Sequence, residues 1–212
     1  MSRPVASGPA SPRPRAEHLG PQARRPLVLD AALVVWSQNG HRGTTMSAVA
    51  EQARVSKPVV YECFPTKDAM LLALLDREEK RLFRAAVSSL PREPTDPRQD
   101  LTGAFTAFFV AVQEHPLSWR VIFDAQHSVP TEVGARYRAA RAQVVEQVAV
   151  LLQLAGLRTA TMDDPEALLA AEHCVGLAEL GAGKLLADDE PVHWSPQTLS
   201  RVLTDLVLDG IG

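Results

Sequence analysis

The stretch Thr44–Lys67, TTMSAVAEQARVSKPVVYECFPTK, decides the fold. Met46, Val49, Ala50 and Ala53 recur at helical intervals while Ser47, Glu51 and Gln52 turn outward, which predicts a helix of about two turns. Arg54, Val55 and Ser56 break it, and Val59, Val60, Cys63 and Phe64 then make a second short apolar face, predicting a second helix from about Lys57 to Phe64. Helices this short do not stand alone in water. They must pack on each other and on a third, and the tight turn between them is the geometry that lays a second helix in the DNA major groove.

Side-chain sizes agree with that geometry. Ala50 is small where the two helices cross, and Val55 and Val60 fill the angle between them. The turn position of such a motif often takes positive φ and therefore favours glycine. Here it is Arg54, which should cost about 1 kcal/mol of local strain and whose charge can compensate by reaching a phosphate. Ser56 suits an N-cap, and Pro58 is tolerated in a first turn that has no use for its N–H. A third helix is predicted upstream, from Pro26 to Asn39, with Leu29, Ala32, Val35 and Trp36 as its buried stripe and Gly40 as its stop. Thr44 or Thr45 would cap the next helix. His41 is read as structural.

From Arg25 to Leu71 the chain resembles the TetR family of bacterial transcriptional repressors. The resemblance is carried by Val28, Leu29, Ala31, Ala32, Val35 and Trp36, then Gly40, Thr44 and Thr45, Val49 and Ala50, Val55 and Ser56, Tyr61, Phe64 and Lys67. Two positions depart from the family pattern: Arg54 replaces the usual turn glycine, and Cys63 replaces a histidine that usually approaches a phosphate, so Cys63 receives no DNA contact. The candidate contacts sort by chemistry. Thr44, Thr45, Arg54, Tyr61 and Lys67 suit phosphate positioning, Lys57 either phosphate or a guanine edge, and Val59 a thymine methyl, with Ser56 and Pro58 at the entry to the recognition helix.

Composition bounds the remainder. The chain has 212 residues, 46% of them hydrophobic, enough for a sizeable core. Residues 1–23 are rich in Pro, Ser, Ala and Arg and are expected to form a disordered basic arm. They hold no apolar run of signal-peptide or membrane-anchor length, and no stretch elsewhere is long enough to span a bilayer, so the expected location is cytoplasmic. Residues 1–67 carry nine basic residues against four acidic ones, a balance of +5, and the net charge of −3 leaves −8 for the rest. A basic head on an acidic body fits a protein that meets phosphate at one end. Cys63 and Cys174 lie on different predicted helices and are read as core thiols of a reducing compartment.

Residues 24–67 are thus read as the helix-turn-helix domain and 68–212 as a helical body, giving an all-α chain. A long helix from Lys67 to about Leu90 leads into the body and ends before Pro91. Further helices are predicted at 99–114, 116–126, 131–156, 165–187 and 196–208, separated by Pro, Gly or Asp-rich breaks. The family resemblance implies that the long helix couples ligand to DNA spacing and that the body encloses an apolar pocket for a small effector. Phe105, Phe108, Phe109, Trp119, Phe123 and Tyr137 are the aromatic candidates for such a pocket, and His127, Glu172, His173 and Glu179 the polar ones. Each is also an ordinary core or surface residue if no effector exists.

The last two helices carry apolar stripes, Leu168, Ala171, Val175, Ala178, Ala182 and Leu185 on one and Leu199, Val202, Leu203, Leu206 and Val207 on the other, with Gly176, Gly181 and Gly183 permitting close approach. In the family such helices form a four-helix dimer interface, and two-fold symmetry matches two DNA half-sites. An enzyme fits poorly. The run Gly181-Ala182-Gly183-Lys184 lacks the glycine at 178 and the Ser or Thr at 185 of a phosphate loop, and no histidine has metal-ligand spacing. No catalytic residue, metal or cofactor is expected. The reading is a homodimeric repressor that binds a palindromic double-stranded operator and is released by a small, largely apolar effector. The alternatives are a DNA-binding regulator or architectural factor without an effector and, more remotely, a helical enzyme.

Overall fold

The computed structural model describes residues 20–88, 96–128, 132–154, 165–187 and 192–209, and among these every regular element is an α-helix. They are α1 (Pro21–Gly43), α2 (Met46–Ala53), α3 (Lys57–Cys63), α4 (Lys67–Ser88), α5 (Pro97–Glu114), α6 (Pro116–Ser128), α7 (Glu132–Leu154), α8 (Pro165–Leu185) and α9 (Pro196–Leu208). Proline opens α1, α5, α6, α8 and α9, where a missing N–H costs nothing and the ring fixes φ. Asp96 caps α5 by accepting from the backbone N–H groups of Arg98 and Gln99, and Ser195 caps α9 by accepting from Thr198 N–H. None of the described helices is long and apolar enough to cross a membrane.

Helices α1, α2 and α3 pack on one another, α4 runs from them into the body, and the body pairs α5 with α9 and α7 with α8. Helix α1 also packs directly on α6, so the head touches the body twice. One apolar core joins the two regions, from Val28 and Trp36 through Leu71 and Leu74 to Phe109 and Val121. Polar ties cross it. The fully buried carboxylate of Glu78 in α4 accepts from Arg77 Nε at 2.6 Å and from the Ser118 hydroxyl in α6, while Arg81 approaches at 3.2 Å. Arg77 also donates to Asp30 in α1 at 2.7 Å. A buried charge is tolerable because it is paired in this way. Across α5 and α9, Arg98 reaches Asp205 and Asp209 at 2.6 Å each.

Several sequence expectations need correction. Helix α1 begins at Pro21, not Pro26, so the last three residues given to the arm are helical and Pro26 sits inside the helix. The cause is tertiary: Arg24 approaches Glu62 at 3.4 Å and Arg25 donates to the Cys63 carbonyl at 2.8 Å, holding an extra turn over the end of α3. Residues 1–19, the predicted end of the long helix at Leu90 and the predicted ends of α7 at Thr131 and Gly156 lie outside the described residues.

The apolar stripe read as a dimer face on α8 is largely spent inside the protomer. Ala171 and Ala182 are buried, Leu168, Val175, Ala178 and Leu185 pack against the core, and Gly181 faces the Phe109 ring and Leu199. The outward apolar residues of α8 are Leu169 and Leu180, 55% and 60% exposed, on the same face as Gly176, with Leu206 exposed on α9.

Candidate nucleic-acid interface

The turn between α2 and α3 is built as its spacing requires. Arg54 adopts the left-handed conformation at φ 55°, ψ 41°, and its N–H and that of Val55 close onto the carbonyls of Glu51 and Ala50 at 3.0 Å each. Val49, Ala50, Val60, Cys63 and Phe64 are buried beneath the pair of helices. Lys57, Pro58 and Tyr61 are exposed on α3, Arg54 and Ser56 are exposed beside its start, and Val59 is half-buried. The Lys57 ammonium lies 5.9 Å from the centre of the Tyr61 ring, which is 45% exposed, so one turn of α3 presents a cation, an aromatic ring and a phenol to solvent on a single face. Ser56 occupies the N-cap without a side-chain capping bond.

The two threonines divide. Thr45 caps α2, accepting from Ala48 N–H at 3.1 Å, and is exposed. Thr44 is fully buried; its hydroxyl donates to Gly40 O at 2.8 Å and its N–H points at the carbonyls of Gly40 and His41. The expectation that Thr44 positions a phosphate is therefore corrected, because its hydroxyl and N–H are both consumed by the last turn of α1. Lys67 donates to the His41 carbonyl at 2.6 Å, and burial pushes its ammonium below the ordinary value. One of its three donors is thus committed and two remain. Burial, then the Lys67 charge, lowers His41, whose ring meets Trp36 edge-on at 5.7 Å, as befits a structural residue. Burial raises the Cys63 and Cys174 thiols and both are free and buried.

In the body, five of the aromatic candidates form one continuous series. Phe105 stacks on Phe109 at 6.2 Å, Phe109 meets Phe108 at 5.5 Å, Phe108 meets Trp119 edge-on at 5.5 Å, and Trp119 meets Phe123 at 6.0 Å. Tyr137 and Glu179 come together elsewhere: burial, then the Glu179 carboxylate, raises the phenol well above its ordinary range. Arg141, absent from the sequence reading, grips Glu179 through two bonds of 2.8 and 3.0 Å. Glu172 and His173 are exposed on α8, Glu172 within 3.8 Å of Arg141 and His173 turned to the Leu169 carbonyl. Neither points inward, which corrects the expectation that they face an effector. The side chain of His127 lies outside the described residues. The sequence reading also missed Arg25 and Asp124, whose partners are 38 and more than 80 residues away and leave no local signal.

A helix-turn-helix with a solvent-facing second helix, set on a helical body, defines a DNA-binding transcriptional regulator rather than an enzyme. Residues 28–74 match the family model described as bacterial regulatory proteins, tetR family, and residues 97–210, more than half the chain, match the tetracyclin repressor-like C-terminal domain. The chain belongs to the TetR family of transcriptional regulators. It is 29% identical over 184 residues to the HTH-type transcriptional activator FasR of Mycolicibacterium smegmatis, covering 87% of this chain and 82% of that protein. It is 34% identical over 94 residues to the HTH-type transcriptional repressor KstR of Rhodococcus jostii, covering 44% of this chain and 43% of the other. A TetR-like transcriptional regulator from Rhodococcus sp. RHA1 superimposes with a TM-score of 0.72 at 26% identity, over 94% of this chain and 98% of that one.

Proposed function

We propose that this regulator binds a palindromic operator as a homodimer, represses from it, and is released when a small, largely apolar effector enters the body. The observation that carries the DNA part is the outward face of α3, where Lys57, Pro58 and Tyr61 stand exposed over a buried Val60, Cys63 and Phe64. Lys57 and Val59 read base edges; Thr45, Arg54, Ser56, Tyr61 and Lys67 position the phosphates. Residues 24–67 serve as the DNA-binding unit and 68–212 as the effector and dimerisation unit. The outward apolar pair Leu169 and Leu180, with Leu206 of α9, supports dimerisation through α8 and α9. The series from Phe105 to Phe123 supports an apolar effector, and Tyr137 and Glu179, which meet elsewhere in the body, are the polar candidates to orient it. An effector that binds the DNA-incompetent state better by about 3 kcal/mol lowers operator affinity more than a hundredfold.

Selection of bound fragments from a random double-stranded DNA pool at fixed salt tests this reading. An enriched inverted repeat supports a sequence-specific dimer; a folded protein that enriches nothing sinks it. The opposite sign of regulation has one observation on its side, the activator matched over most of its length. A reporter carrying the selected operator separates the two, since repression requires expression to rise when the regulator is deleted.

A further inference from the structure

A single carboxylate of the body fastens the joint between α1 and the helix-turn-helix. Asp124 of α6 accepts the Trp36 indole N–H at 2.6 Å and, on the same oxygen, the His41 backbone N–H at 3.2 Å. Charge-assisted bonds of this kind are about twice as strong as neutral ones. Between the two donors lies Gly40, at φ 66° and ψ 178°, where the chain breaks from the helix before one more turn. His41, just past the break, is held from both sides. Its N–H goes to Asp124, and its carbonyl takes Lys67 at 2.6 Å and the Thr44 N–H at 3.3 Å. On its other flank Asp124 follows Phe123, the last ring of the series that begins at Phe105.

We propose that Asp124 is the positioning residue that couples the aromatic region of the body to the DNA-binding head. With its carboxylate on Trp36 and His41, both of α1, the head is held in one orientation against α6 and is preorganised for DNA. An occupant that displaces the Trp119–Phe123 turn of α6 withdraws the carboxylate. The head then samples several orientations, and binding DNA must order it again. The inference rests on the DNA-regulator reading above and gives it a route through α6 and α1 beside the long helix α4. Because coupling is reciprocal, operator binding must in turn strengthen the hold of Asp124 on Trp36.

The test uses the full chain and the selected operator at fixed salt, with no effector. Affinity and the ¹H–¹⁵N signal of the Trp36 indole, identified through Trp36→Phe, are measured for wild type, Asp124→Asn, Phe123→Ala and the double variant. Asp124→Asn should move the indole signal and lower operator affinity about tenfold while the dimer is kept. Phe123→Ala should change affinity several-fold in the wild-type background and not in the Asn background, while the melting temperatures of the same four proteins stay additive. A merely stabilising role does not produce that split, because adjacent residues would then couple in stability too. Trp36→Phe, which removes the N–H donor and leaves a smaller ring in a fully buried site, should reproduce the loss where Asp124→Asn folds poorly. Additive effects, or operator affinity within about twofold of wild type despite a moved indole signal, overturn the coupling. No selected operator at all overturns instead the reading on which it rests.

Discussion

The Arg25 guanidinium donates to the Cys63 carbonyl at 2.8 Å and lies 4.1 Å from the centre of the Phe64 ring, so the first turns of α1 close over the end of the recognition helix. A seven-residue helix leaves its last carbonyls without intrahelical partners, and Arg25 supplies one while its positive charge meets the negative end of the helix dipole. Arg25 therefore fixes the angle at which α3 is presented. Arg25→Ala should lower operator affinity and selectivity over random DNA, by about tenfold for a loss near 1.4 kcal/mol, with the slope of affinity against salt unchanged. A slope reduced by about one would mean instead that Arg25 touches a phosphate.

Arg54 supplies a test in which stability and binding move in opposite directions. Among the described residues it is the one non-glycine with positive φ, and it is exposed. Arg54→Gly should stabilise the head by about 1 kcal/mol by relieving the Cβ clash, seen as a raised melting temperature. If the guanidinium reaches a phosphate, the same change weakens operator binding and lowers the salt slope by about one. A raised melting temperature with an unaltered slope would leave Arg54 without a DNA role.

These two residues also mark what the sequence discloses. The left-handed turn at Arg54 is legible because the signal is local: a short apolar period ends, another begins three residues later, and only one backbone geometry joins them. The starts of α8 and α9 are legible for the same reason, with Pro165 and Pro196 at their first positions. Arg25 is not legible, since nothing near residue 25 states that Cys63 and Phe64 will stand beside it. Thr44 and Thr45 are chemically identical neighbours, and only the turn after Gly40 decides which of them is buried. On α8 apolar residues occur nearly all round, so periodicity alone could not tell the face against Phe109 from the one bearing Leu169 and Leu180.

Gly181 shows how tightly that inner face is packed. A Cβ there would stand 2.6 Å from Phe109 Cζ and 3.2 Å from Leu199 Cδ2. Phe109 is fully buried between Phe105 and Phe108 and has no room to swing away. Gly181→Ala should therefore destabilise by about 1–3 kcal/mol through overpacking, although alanine is ordinarily the better helix former. Denaturant titration checks it, and an unchanged or raised midpoint would show that the α5–α8 contact is looser than these distances state.

Glu79 connects the body to pH. Its carboxyl is pushed up to about 7 from an ordinary 4.5, by burial above all, because Arg136 stands 3.8 Å away and gives its short bond, 2.6 Å, to Asp76. Asp76 raises Glu79 further, and Lys80 opposes it weakly. The sign follows from proton binding. Between pH 4.5 and 7 the folded chain holds a proton on Glu79 that the unfolded chain has released, so this group makes stability fall as pH rises through that window and then level off. Glu79→Gln mimics the protonated form at every pH. The variant and wild type should be equally stable near pH 4.5, and the variant should be the more stable by up to about 3 kcal/mol at pH 8. Parallel melting temperatures of the two proteins across pH 4.5–8 would show that Glu79 ionises in the folded body without penalty.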